Sequence, residues 1–142
     1  MRITHTWDKE NYIAKCEIQD HDMRFVGEAK CHPDDQEFVS AITGGYIAEG
    51  SAYIKLYQNT KYFVVKPQID ILQYTLHSIK QSKYYNPNSL ATVKIEQELA
   101  RKKSEYEQLK FAIDNEKLNL KYYIADKDKL HKFLGKKKQL SN

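Results

Sequence analysis

The sequence has few cysteines and no long apolar run, and each shortage excludes a class of protein. Its 142 residues include two cysteines, Cys16 and Cys31, too few for a disulfide framework, so we expect reduced thiols. No apolar stretch approaches the roughly 20 residues of a membrane-spanning helix. The opening stretch 1–16 also lacks the apolar run of a signal peptide. We therefore expect a cytoplasmic protein that does not associate with membranes.

Potential metal ligands and catalytic groups are scarce as well. The densest group is CHPDDQEF, Cys31–Phe38, which holds a thiol, an imidazole and three carboxylates. Structural zinc needs four nitrogen or sulfur ligands, and the five histidines are scattered. His32 directly follows Cys31, so strand geometry would turn the two side chains to opposite faces. The PDD that follows is typical of a helix start. The sequence thus predicts no catalytic residue, no metal and no cofactor.

The first third alternates in hydrophobicity as β-strands do. Period-two patterns cover 2–7, 12–19 and 23–31. The turn-prone DHD, residues 20–22, separates the last two segments. This pair predicts a hairpin with one buried face.

From Phe38 onward the period changes to that of a helix. Its recurring small residues are Ala41, Gly45, Ala48 and Ala52. Such a helix can lie very close to a sheet. Gly44 and Gly45 cost roughly 1 kcal/mol each relative to alanine, which either close packing or a local break would explain. Tyr62–Val65 then predicts a short strand that Pro67 ends.

After Pro67 the pattern is helical throughout. Apolar residues at helical spacing predict one helix: they are Ile69, Leu72, Leu76 and Ile79. The break KYYNPNS follows, with Asn88 or Ser89 as the cap of a second helix that reaches about Ile124. At 1.5 Å per residue this helix would be roughly 54 Å long.

The long helix carries a coiled-coil-like seam. Its nine positions are Ile95, Leu99, Lys102, Tyr106, Leu109, Ile113, Glu116, Leu120 and Tyr123. The preceding helix can cover part of this seam. The remainder predicts pairing with another copy of the chain, and therefore a homo-oligomer.

These elements predict an α+β protein, a small antiparallel sheet with one packed helix followed by a long C-terminal helical hairpin. We expect the sheet and its helix over 1–66 and the hairpin, used for oligomerisation, over 67–134. Residues 135–142 are expected to form a disordered basic tail.

The charge pattern indicates what kind of partner the protein binds. The net charge is +4, and basic residues crowd the C-terminal half, where lysine far outnumbers arginine. Such a surface attracts phosphates without sequence preference, whether of a nucleic acid or a small ligand. A solvated helix face explains any single lysine equally well.

The stretch FVGEAKCHPDDQEFVSAITGGYIAEGSAYIKL, Phe25–Leu56, resembles small phage proteins in which a Gly-x-Ala-x-Cys-x-Pro-x-Asp run leads into a glycine-containing helix. The matching residues are Gly27, Ala29, Cys31, Pro33, Asp35, Phe38, Gly45, Ile47 and Ala48. The family it resembles is the first type of Thoeris anti-defence proteins. The resemblance implies a non-enzymatic phage protein that holds a cyclic ADP-ribose isomer in the infected host's cytoplasm. It also implies a homo-oligomer, a dimer that can assemble further into a hexamer, and admits cyclic oligonucleotides as additional ligands.

In that family the signal lies between loops of one subunit and long helices of a neighbour. The loop KYYNPNS offers Tyr84 and Tyr85 for stacking on a purine. The amides of Asn86 and Asn88 can hydrogen-bond to base or ribose edges.

The helix offers cations for a pyrophosphate. Lys117 and Lys121 lie one turn apart on one side of it, where each can make a charge-assisted bond. Arg101 is the helix residue able to make a bidentate phosphate contact, although Glu98 or Glu105 is an equally good partner.

Three other functions remain open at this point. An enzyme that degrades a cyclic nucleotide would use His32, Asp34 and Asp35 in a cleft. A small phage nucleic-acid-binding oligomer would use the basic helices. An oligomerisation module would bind no ligand at all.

Overall fold

Strands come first along the chain and helices follow. The computed structural model describes the backbone of residues 1–32 and 37–140, and the side chains of 1–32 and 41–125. The elements in chain order are β1 (Arg2–Asp8), β2 (Ile13–Asp20), β3 (Met23–Lys30), α1 (Glu37–Asn59), a π-helical segment (Thr60–Val65), α2 (Lys66–Gln81) and α3 (Leu90–Leu140). This combination of antiparallel sheet and long C-terminal helix confirms the predicted α+β class.

The chain divides into two compact units. Unit one combines Met1–Leu56 with Ile113–Asn142, and unit two is Tyr57–Ala112. Unit one therefore contains the whole sheet, whereas unit two contains the π-helical segment and α2. Helix α3 contributes residues to both.

The sheet is antiparallel with the strand order β1-β2-β3. Its β2–β3 register places Cys16 opposite Gly27 and Ile18 opposite Phe25. All four residues are buried, and the positions between them are exposed or half-buried. Because alternate residues of a strand point to opposite faces, this confirms the predicted hairpin with one buried face.

Helix α1 packs on that buried face at very short range. A Cβ atom at Gly27 would overlap the carbonyl oxygen of Ala48, so the backbones of β3 and α1 nearly touch. A Cβ at Gly44 would lie 2.7 Å from the Cys31 sulfur. Close packing rather than a helix break therefore accounts for Gly44, and α1 is continuous through both glycines.

The other side of α1 packs against α3 within unit one. A Cβ at Gly50 would lie 3.0 Å from Leu120 Cδ2. The rings of Tyr46 and Tyr123 stack with centroids 5.3 Å apart. This part of the seam is thus covered by the same chain. The argument that it requires another copy is wrong, and the homo-oligomer itself stays a prediction.

In unit two, α2 lies against α3. The predicted stripe on α2 is half-buried along its length: Ile69, Leu72, Leu76 and Ile79. On other faces of α2, Ile71 and Tyr74 remain 65% and 73% exposed. The helical hairpin is therefore confirmed, with the predicted stripe at its interface.

The predicted strand over Tyr62–Val65 is wrong. These residues belong to the π-helical segment, whose flanking residues Asn59 and Lys66 both have right-handed helical dihedral angles. β-branched and aromatic residues favour strands only where a neighbouring strand can pair with them, and helices lie on both sides here. Pro67 sits in the first turn of α2, a position that tolerates proline, so it does not end a strand.

Several predictions fall outside what is described. Residues 33–36, where the helix start was predicted, lie outside the described residues, and α1 is assigned from Glu37. Helix α3 is assigned to Leu140, past its predicted end near Ile124 and into the tail expected at 135–142, whose side chains lie outside the described ones. The expected domain bounds 1–66 and 67–134 stay predictions. Over the described residues, none of the helices combines the length and apolarity that crossing a membrane requires.

Candidate ligand-binding site

A cleft of about 370 Å³ opens in unit one between β1 and α1. Its lining residues are His5, Thr6, Trp7, Ala14, Ala41, Ile42, Gly45, Tyr46 and Glu49. This volume falls within the range of about 300–1,000 Å³ that is typical of small-molecule pockets. A Cβ at Gly45 would meet nothing within 4 Å, so the missing side chain leaves space in the cleft. We call this site the β1–α1 cleft.

Two aromatic rings line the cleft, and a second ring supports each of them. Trp7 packs edge-to-face on Tyr12, with centroids 5.6 Å apart. Tyr46 stacks on Tyr123 with an angle of 12° between the ring planes and remains 52% exposed. Rings held in this way offer flat, pre-positioned surfaces to a planar ligand group.

The polar groups of the cleft centre on Glu49. Its Oε2 atom lies 3.6 Å from His5 Nε2, and its side chain is 33% exposed. Burial raises the pKa of Glu116 on α3, and the nearby Glu49 charge raises it further. An ionised Glu49 can accept hydrogen bonds from ligand hydroxyl groups.

The Cys16 thiol is unsuited to nucleophilic chemistry here. Its side chain is fully buried beneath α1, and its pKa is raised, first by burial and then by the charge of Glu49. Since the thiolate is the reactive form, this cysteine behaves as a core residue.

The predicted tyrosine loop connects α2 to α3 in unit two. Tyr84 is 81% exposed, and the Lys83 ammonium lies 5.2 Å from the centroid of its ring. Tyr85 is half-buried, and its backbone N–H donates to the Ser82 carbonyl. The Asn86 side-chain oxygen accepts from the Asn88 N–H at 3.0 Å, so this amide shapes the loop.

The predicted cations do not all belong to the same unit. Arg101, in unit two, donates from Nε to Glu98 Oε2 at 3.0 Å, so its guanidinium is already engaged by its own helix. That hydrogen bond lowers the pKa of the Glu98 carboxyl. Lys117 and Lys121 are exposed on the part of α3 that belongs to unit one. The four loop residues lie together, whereas these two lysines belong to the other unit.

Sequence reasoning missed the residues of the β1–α1 cleft. The alternation of Ile3, His5 and Trp7 on one side of an edge strand was visible, but no local motif links it to Tyr46 or Glu49. Only the close approach of α1 to the sheet brings these residues together.

Over the described side chains, no three His, Cys, Asp or Glu residues are arranged to hold a metal ion. The candidate site is therefore an aromatic cleft with one carboxylate and one imidazole.

A comparison of this chain with protein families, curated proteins and solved structures finds no match.

Proposed function

We propose that this protein is a phage anti-defence protein that binds and sequesters a cyclic ADP-ribose isomer in the host cytoplasm without cleaving it. The resemblance of Phe25–Leu56 to the Thoeris anti-defence motif supports the ligand class. The β1–α1 cleft is the observation that carries the proposal, because it gives a nucleotide-sized ligand a pre-formed site.

The motif and the cleft are connected through packing. Gly27 and Ala48, both motif residues, allow the backbones of β3 and α1 to approach closely. That approach fixes how far Tyr46 and Glu49 stand from β1. The motif residues thus serve as scaffold, and the residues around them provide the ligand contacts.

The chemistry of the lining suits a nucleoside. A purine would stack on Trp7 or Tyr46, a contact worth about 1–3 kcal/mol per base in proteins that bind single-stranded nucleic acids. The Glu49 carboxylate would accept hydrogen bonds from ribose hydroxyls, as acidic residues do in dinucleotide-binding folds. The cleft's described lining contains neither lysine nor arginine. The pyrophosphate would therefore be bound by other residues, and Lys117 and Lys121 of a neighbouring copy are our candidates.

The first experiment titrates cyclic ADP-ribose isomers into the full chain by isothermal calorimetry. Trp7→Leu should weaken binding roughly 5- to 150-fold, the equivalent of one lost stacking contact. The matched control is Tyr74→Leu, which removes an exposed aromatic ring from α2 and should leave affinity unchanged. Equal affinity for wild type and Trp7→Leu would contradict the assignment of the cleft.

Heat denaturation of the complex, followed by mass spectrometry, separates sequestration from catalysis. We expect the intact cyclic nucleotide to be released. Recovery of linear product would instead identify an enzyme. Steeply salt-dependent binding to nucleic acid, with no affinity for the cyclic nucleotide, would favour the nucleic-acid binder.

A further inference from the structure

Strand β1 is an exposed edge strand with a regular backbone. Over the described backbone the sheet order is β1-β2-β3, so no strand there pairs with the outer edge of β1. The inner edge pairs with β2 without a break, from Arg2 opposite Gln19 to Asp8 opposite Ile13. Six of the seven residues are exposed, and Trp7 is half-buried. Along the whole strand, backbone N–H and C=O groups therefore point away from the sheet.

This edge lacks the charges and proline that usually protect an edge strand from pairing with another chain. The interior of β1, Ile3–Trp7, contains no lysine, arginine, aspartate, glutamate or proline. The opposite edge of the sheet differs, because β3 carries Arg24 and Glu28 within the strand. The Val26 carbonyl of β3 also accepts a hydrogen bond from Lys55 Nζ. Of the two edges, β1 is therefore the one suited to accept a further strand.

The β1 sequence, RITHTWD, is complementary to itself in the antiparallel direction. When two copies pair with His5 opposite His5, each residue before His5 faces the residue equally far after it. The opposed residues form an ion pair, an apolar pair and a hydroxyl pair, which are kinds of cross-strand pair that stabilise antiparallel sheets. Two-fold symmetry forms each of these pairs twice. The pairs are Arg2 with Asp8, Ile3 with Trp7, and Thr4 with Thr6.

The charged groups at the two ends of β1 can form this ion pair. Over the described side chains Arg2 makes no ion pair, and Glu17 on β2 is bound by Arg24 through two hydrogen bonds of 2.7 and 2.6 Å. The side-chain hydrogen bond from Asn11 lowers the pKa of Asp8, which keeps this carboxyl ionised. The Asp8 Oδ2 atom accepts from Asn11 at 2.8 Å, and a carboxylate oxygen can accept a second bond.

We propose that β1 pairs antiparallel with β1 of a second copy of this chain, about a two-fold axis at His5, so that two three-stranded sheets form one continuous sheet. The seven opposed residue pairs form about six to eight main-chain hydrogen bonds, because roughly every second pair exchanges two. This interface is distinct from the helical hairpin that was expected to mediate oligomerisation. It goes beyond the proposed sequestration of a cyclic nucleotide and does not depend on it.

The pairing also brings a residue of the second copy to the β1–α1 cleft. His5 and Trp7 lie on the side of the sheet that α1 covers, because His5 is opposite the buried Cys16. Opposed residues of neighbouring strands share a face, so Ile3 of the second copy lies beside Trp7 on that side. Ile3 is 37% exposed in the single chain. Each cleft thus gains an apolar neighbour from the other copy.

Disulfide trapping tests the register with the full chain and without a ligand. In His5→Cys the two thiols face each other at the Cα separation of about 4.5–5.5 Å of antiparallel pairs, which a disulfide can span. Thr4→Cys is the matched control, because its two copies lie roughly 8 Å apart, beyond that reach. The native Cys16 and Cys31 are buried. Oxidised glutathione should give a covalent dimer of His5→Cys and leave Thr4→Cys as single chains on non-reducing gels.

A mixture of two variants tests the same register at a second pair. Thr4→Cys and Thr6→Cys should each remain single chains when oxidised alone and form a covalent dimer when mixed beforehand, since Thr4 faces Thr6. A covalent dimer from either His5→Cys or the mixture, with none from Thr4→Cys alone, supports the register. Equal crosslinking of His5→Cys and Thr4→Cys overturns it. Absence of crosslinking in both His5→Cys and the mixture overturns the interface.

A charge reversal tests the interface without added cysteine. Arg2 is exposed and lies outside the lining of the cleft, so Arg2→Glu should fold. It places two carboxylates opposite each other at both ends of the interface and should raise the dimer dissociation constant roughly 3- to 30-fold. Lys94→Glu, at an exposed position of α3, makes the same charge change and should leave that constant unchanged. Sedimentation equilibrium measures both. A monomeric wild type, or equal constants for wild type and Arg2→Glu, overturns the proposal.

Discussion

Glycines determine how closely α1 packs against its neighbours in unit one. The missing side chains of Gly27 and Gly44 allow α1 to lie directly on the sheet, and the missing side chain of Gly50 makes room for Leu120. The sequence pattern predicted a face of small residues on α1 and included Gly45 in that face. In the structure, Gly45 borders the open cleft instead. The sequence alone does not distinguish Gly44 from the adjacent Gly45. Which of the two faces the sheet depends on how α1 is rotated about its own axis relative to the sheet and α3.

The Glu49–Glu116 pair leads to a prediction about pH. The pKa of Glu116 is raised in the folded protein, so the native state binds more protons than the unfolded state above the ordinary pKa of 4.5. Stability should therefore fall as the pH rises from about 4.5 through the raised pKa. Glu116→Gln should remove this loss and make the protein more stable than wild type at pH 7.

Urea unfolding of wild type and Glu116→Gln from pH 4 to pH 8 measures the free energy of unfolding of each protein. The quantity to follow is the value for the variant minus the value for wild type at each pH. Glu96→Gln, at an exposed position of α3, is the control and should follow wild type. A constant difference between Glu116→Gln and wild type across the range would contradict the assignment.

At the scale of elements, local sequence patterns were sufficient to predict a strand or helix wherever one face of that element is buried. The three strands, the helical face of α2 and the seam of α3 were all visible as periodicities. The seam positions are all buried or half-buried in the structure. The strand prediction over Tyr62–Val65 was wrong because the apolar residues of this segment show no clear period. Residue propensity alone therefore favoured a strand. Neighbouring helices overrode that weak preference.

The start of α3 provides an element-scale prediction. The Ser89 hydroxyl accepts the Thr92 N–H at 3.3 Å and lies 2.8 Å from the Thr92 hydroxyl, which is the geometry of an N-cap. Ser89→Ala should lower the free energy of unfolding by about 0.5–2 kcal/mol. Ser104→Ala, in the exposed middle of α3, should be neutral or slightly stabilising. Equal unfolding midpoints for the two variants would show that Ser89 does not cap the helix.

At the scale of the whole molecule, the sequence predicted the fold class but not the cleft. Trp7 and Tyr46 lie far apart in the sequence, and only tertiary packing brings them together in the lining of one cleft. The predicted loop belongs to unit two and the two predicted lysines belong to unit one, so a joint role of these residues in binding stays a prediction.

The resemblance to the Thoeris anti-defence proteins leads us to predict a homo-oligomer whose assembly does not depend on the ligand contacts. Lys121→Ala should lower the affinity for cyclic ADP-ribose isomers, because one phosphate contact is lost, while leaving the oligomeric mass unchanged. Native mass spectrometry and calorimetry on the same sample provide both readouts. Tyr85→Ala should behave in the same way. Unchanged titrations for both variants would contradict the predicted neighbour contacts, and a monomeric wild type would contradict the oligomer.

The placement of Trp7 has a practical consequence. It is the only tryptophan among the 142 residues, and it stands in the wall of the β1–α1 cleft. Indole emission responds to the polarity and stacking of its surroundings, so all tryptophan fluorescence of this protein originates where we place the ligand. The unmodified chain therefore contains a built-in optical reporter for occupancy of its own cleft, readable in real time and without a label.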